Sequence, residues 1–166
     1  FVCVNNSDRD LVSDIVRYNN SQNQVTAADF RSTDSIQKRL RQEVSRIKEA
    51  EYEGGRRGGF GSAIKRKPKL MPSFTVGQAL AAFHGEPSTA YNKKSDIWYN
   101  DALYSEFFNE KTTGPHLVFV FSLLKSIEYN KSQLIEKSKS GSELTNLEKQ
   151  RLEFYRLPAS IFVYTY

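Results

Sequence analysis

Apolar residues recur at helical spacing through most of the chain. Ile36, Leu40, Val44 and Ile47 follow one another at intervals of four, four and three, which predicts an amphipathic helix that ends by Glu53. Its other faces carry Lys38, Arg39, Arg41, Arg46 and Lys48 alongside Glu43 and Glu49, the make-up of a solvated surface. Leu11, Ile15, Val16 and Tyr18 predict an earlier helix over 10–18, and Val76, Leu80, Ala81 and Phe83 a short one over 75–84 that Gly85-Glu86-Pro87-Ser88 breaks. An aromatic-rich helix over 96–108, with Ile97, Trp98, Leu103, Tyr104, Phe107 and Phe108, is expected in the core; base stacking by Trp98 or Tyr99 is the lesser reading. Thr112-Thr113-Gly114-Pro115 is a stop and restart. The run 117–127 leans toward strand at Val118, Phe119 and Val120 and toward helix in its continuation to Lys139, and length favours helix. After a polar loop at 138–142, Thr145 and Glu148 stand at capping-box spacing before Leu147, Leu152, Phe154, Leu157 and Pro158. Phe1 to Val4 reads as a buried strand. The expected fold is mainly α, a multi-helix domain over 1–166 with one or two short strands near the N-terminus. The lack of an initiator Met and the apolar finish over 161–166 mark it as an excerpt of a larger protein.

Between the first two predicted helices lies a stretch of a different kind, Asn20 to Gln37, dense in amides, hydroxyls and acids. Such groups must face water or bond one another, because an unpaired polar group is costly to bury. One reading is a connection whose side chains cap helices and form turns; the other is a polar recognition surface. Asp34 with Gln37 three residues on has capping-box spacing, which supplies a structural role for those two. Asn20, Ser21, Gln22 and Asn23 have no such explanation.

Asn20-Ser21-Gln22-Asn23, followed by Asp29, Ser32, Asp34 and Gln37, resembles the signature segment of the AIPR proteins, the abortive-infection phage-resistance family of bacteria. Tyr52-Glu53, the run Arg56-Arg57-Gly58 and the Ala/Gly/Pro-rich stretch before Trp98 are similar to that family in the same order, over roughly residues 1 to 110. The chain departs from the pattern where Gly54-Gly55 separates Tyr52-Glu53 from the arginines. The resemblance implies a role in antiviral defence. Some members carry a separate N-terminal nuclease-like domain, which sequence upstream of Phe1 would hold.

Composition sharpens this picture at one place. With 39% hydrophobic residues, 11 Phe and 9 Tyr, the chain can build a core. A single cysteine, Cys3, excludes an internal disulfide and points to the cytoplasm. No run is long enough to span a bilayer and no secretory signal opens the chain, so no membrane partner is expected. The net charge of +5 is local: residues 54–69 hold Arg56, Arg57, Lys65, Arg66, Lys67 and Lys69 with no acid, a charge of +6, which leaves −1 for the remainder. The same segment holds five of the nine glycines. Glycine permits close backbone approach and arginine offers a phosphate-matching fork, so the segment could cradle a nucleic-acid backbone, or it could be a solvated loop.

Catalytic signatures are missing. No Asp or Glu is followed two positions later by Lys, which excludes the metal-nuclease motif; no P-loop and no Gly-x-Ser-x-Gly elbow occurs. The only histidines, His84 and His116, fall in unrelated segments remote from Cys3, so neither zinc spacing nor a His-based nuclease is indicated, and no metal or cofactor is expected. The leading expectation is a defence domain contacting DNA or RNA through the six basic residues, or positioning it for a catalytic domain elsewhere. The competing one is a structural or protein-interaction module, bound to a partner or to its own upstream domain. An enzyme with an unfamiliar site at Asp29 and Asp34 is a third.

Overall fold

The structure, a computed structural model, describes residue 28, residues 31–54 and residues 69–166. The strand expected at Phe1 to Val4, the helix over 10–18 and the amide run Asn20 to Asn23 lie outside the described residues. What is described is mainly helical, with two short parallel strands. After a single 3₁₀ turn, Arg31–Thr33, come α1 (Ser35–Val44), β1 (Glu51–Tyr52), β2 (Leu70–Met71), α2 (Ser73–Phe83), α3 (Pro87–Asn92), α4 (Asp96–Tyr99), α5 (Asp101–Phe107), α6 (Gly114–Lys139), α7 (Asn146–Phe154) and α8 (Ala159–Tyr164).

α1 buries Gln37, Leu40 and Val44 on one stripe, as the spacing predicts, but it stops at Val44 and does not continue toward Glu53. Glu49 takes a positive φ of 69°, which turns the chain so that Glu51 and Tyr52 can pair with Leu70 and Met71. The expected capping box at Asp34 does not form. Asp34 holds the N-cap position without a side-chain cap bond, and the reciprocal half of the box is missing because Gln37 is fully buried and spends its amide on two tyrosines.

The centre of the packing is α2, which lies against α3, α6 and α8. Its buried residues include the small Ser73, Gly77, Ala79, Ala81 and Ala82 beside Val76 and Leu80, so neighbours approach closely. The Trp98 indole sits so near that a Cβ on Gly77 would stand 3.0 Å from Trp98 Nε1. Trp98 is almost completely buried and centres an aromatic cluster with Phe74, Tyr104 and Phe108, ring centroids 4.9–5.9 Å away, while Tyr99 is 65% exposed. The segment 96–108 is thus core, as expected, though divided: Asn100 accepts from the Ala102 and Leu103 N–H groups and starts a new helix where one was expected to run through. Gly85 does break the chain, at a φ of +103°, but Pro87 at once nucleates α3, since its fixed φ suits a first turn.

The run 117–127 is helical, within a 26-residue α6 that Thr113 caps and that has Pro115 in its first turn. At 1.5 Å per residue this helix is about 39 Å long. It buries Gly114, Leu117, Val120 and Leu124 and none after Leu124, so its second half projects from the core and carries α7. The Thr145–Glu148 capping box forms at the start of α7 as expected. Leu147, Phe154 and Leu157, by contrast, remain largely exposed. Among the described residues no helix is long and apolar enough to cross a membrane.

Candidate functional site

The described part of the polar stretch packs at the start of α1, and Gln37 is its hub. Tyr52 Oη on β1 donates to Gln37 Oε1 at 2.8 Å, and Gln37 Nε2 donates to Tyr104 Oη on α5 at 3.0 Å. One buried amide therefore ties three elements together, and both of its polar atoms are satisfied. Burial pushes both phenols well above their ordinary range, so each stays protonated at neutral pH.

Arginines close the edge of this network. The Arg31 guanidinium lies 4.4 Å from the Tyr104 ring centroid, donates from Nε to the Trp98 carbonyl at 3.2 Å, and pairs with Asp101. Asp34 is 3.9 Å from the same guanidinium. Arg41 donates to the Ser32 carbonyl at 2.9 Å and to the Gly54 carbonyl at 2.6 Å. Arg39 reaches the carbonyls of Asn109, Glu110 and Thr112. These arginines are committed to carbonyls and carboxylates of the fold itself, which leaves little of them for an external anion.

Of the motif residues, Ser32, Asp34 and Gln37 are thus brought to one place, while Asn20, Ser21, Gln22, Asn23 and Asp29 lie outside the described residues. Of the six basic candidates, Lys69 alone is described: it is exposed and 3.3 Å from Glu49. Arg56, Arg57, Lys65, Arg66 and Lys67 also lie outside. The residues bordering that segment are firmly held. Glu51 N–H donates to the Lys69 carbonyl at 3.0 Å, Glu53 N–H to the Met71 carbonyl at 3.1 Å, and Glu53 Oε2 accepts from the Ser73 N–H at 2.8 Å. Gly54 sits at a φ of +59° under the Arg41 side chain, where a Cβ would meet Arg41 Cγ at 2.7 Å.

Two features escaped the sequence. Tyr104 joins Gln37 across 67 positions, and nothing local signals it. His84 and His116, assigned to unrelated segments, meet with their Nε2 atoms 3.1 Å apart. Among the described residues no three of His, Cys, Asp and Glu converge to hold a metal ion.

Against known proteins, no curated protein and no solved structure matches this chain. The family model described as AIPR protein matches it over residues 1–166, beyond the span that the ordered motifs alone suggest. With the family model matching from end to end, the chain belongs to the AIPR family, the abortive-infection proteins of phage resistance.

Proposed function

We propose that this phage-defence chain contacts nucleic acid through Arg56, Arg57, Lys65, Arg66, Lys67 and Lys69, holding it for a catalytic domain elsewhere in the full protein. The observation that carries the reading is the +6 of residues 54–69 against −1 for the rest of the chain. It is supported by the anchoring of the bordering residues. The β1–β2 pairing, Arg41 on Gly54 and Glu53 on Ser73 tether both ends of the segment to α1 and α2. Phosphate contact of this kind is insensitive to base sequence.

The test is fluorescence anisotropy with duplex and single-stranded DNA and RNA across a salt series. Six phosphate contacts give a log–log slope of about −5 on duplex DNA and about −4 on a single strand. Replacing the six residues by Gln should flatten the slope and weaken binding at every sequence alike. Unchanged affinity and slope in that variant would refute the reading.

The scaffold reading has one observation in its favour: Gln37, a signature residue, is saturated by Tyr52 and Tyr104 inside the fold. It predicts no measurable nucleic-acid affinity for the unsubstituted chain at physiological salt.

A further inference from the structure

His84 is the C-cap residue of α2, its N–H donating to the Leu80 carbonyl at 2.9 Å, and His116 stands in the first turn of α6. Their backbones belong to two helices that pack on each other. The rings rest on one apolar wall: the Phe83 centroid is 5.6 Å from His84 and 5.4 Å from His116, and Phe119 closes on Phe83 at 5.7 Å. Supported in this way, the two imidazoles turn Nε2 toward Nε2 at 3.1 Å, with His84 exposed and His116 half-buried. With no ion bound, one Nε2–H donates to the other nitrogen.

We propose that His84 and His116 form a two-imidazole site for a divalent transition-metal ion of the zinc, nickel and copper class, with water completing the coordination. Imidazole nitrogen holds these ions at 2.0–2.1 Å and is a poor ligand for magnesium or calcium. Two nitrogens 3.1 Å apart at that bond length subtend about 98° at the metal, between the square-planar and tetrahedral angles. Bringing both lone pairs onto one ion needs the donating ring to carry its proton on Nδ1 instead, by exchange with water, and the rings to turn, closing their centroids from 5.2 Å to about 4.8 Å. The positive end of the α6 dipole opposes a dication and weakens its binding. The bound ion would clamp the end of α2 to the start of α6, and the proposal is independent of nucleic-acid contact.

The chain has two histidines in all, so a two-imidazole signature can come from this pair only. The experiment uses tag-free protein carrying Cys3→Ser, which removes thiolate binding, titrated with Cu²⁺ under electron paramagnetic resonance. One equivalent should bind with hyperfine splitting from two imidazole nitrogens, and Ni²⁺ should raise the melting temperature. His84→Gln and His116→Gln should each weaken binding by about tenfold or more, leave one-nitrogen coordination and abolish the thermal shift, with unchanged circular dichroism of the metal-free proteins. Absence of saturable binding below about 1 mM, or one-nitrogen coordination in the Cys3→Ser protein with its histidines intact, would overturn the proposal.

Discussion

Replacing Gln37 by Leu tests whether the buried amide holds the signature segment to the core. Leucine keeps most of the volume, so the cavity contribution is small. What changes is polarity. Tyr52 Oη is buried and has Gln37 Oε1 as its acceptor at 2.8 Å; without it, the hydroxyl is stranded away from water. A buried unsatisfied hydroxyl costs about 1–3 kcal/mol, and the bond from Nε2 to Tyr104 is lost as well, at about 1 kcal/mol. Gln37→Leu should therefore destabilise by about 2–4 kcal/mol, a fall in melting temperature of about 5–15 °C for a chain of this size. Tyr52→Phe alone should cost less, about 1–2 kcal/mol, since it leaves only an amide oxygen without its donor. The double variant removes both partners, and its cost should fall short of the sum of the singles by at least about 1 kcal/mol. Urea denaturation of the four proteins measures this. Additivity within about 0.3 kcal/mol, or a Gln37→Leu effect below about 0.5 kcal/mol, would refute the reasoning.

Other positions give equally definite outcomes. Gly114→Ala would put a Cβ 2.6 Å from Glu43 Cβ and 2.9 Å from the Val44 backbone nitrogen, so α1 and α6 must separate; a loss of about 2–3 kcal/mol in urea denaturation is expected. Gly141→Ala meets no neighbouring atom but must hold a φ of +74°, and should cost only about 1 kcal/mol by the same measurement. Leu117→Ala, at a fully buried site on α6, should cost about 2–5 kcal/mol, whereas Leu147→Ala on exposed α7 should change stability little. The Lys137 ammonium and the Thr145 N–H and hydroxyl hold the Glu148 carboxyl at about 2. Because this folded-state value lies below the unfolded one near 4.5, the capping contribution is complete above that pH and is lost as pH falls toward 2. Carbon-13 NMR titration should find the Glu148 midpoint near 2, and Thr145→Ala should raise it.

Local rules determined a good deal of this protein. The apolar spacing at Leu40 and Val44, the Thr145–Glu148 box, Pro115 in a helical first turn and the burial of Trp98 among aromatics all follow from interactions within a few residues or from simple burial. The motif order around Asn20 to Gln37 was likewise enough to point to the family. Tertiary contacts decided the rest. Gln37 has the right spacing to cap Asp34, yet two buried tyrosines, one of them 67 positions away, offer its amide a water-free pairing, and the pairing wins. α1 ends at Val44, and Glu51 and Tyr52 pair with a strand that follows the basic segment, a long-range partnership that spacing does not reveal. His84 and His116 become neighbours through the packing of α2 on α6, a relation that no periodicity carries, since it depends on where two helix ends stop in space. Short-range spacing thus specified the helices and the charge of the basic segment, while the polar partnerships, which depend on side chains meeting across the core, existed only once the chain had folded.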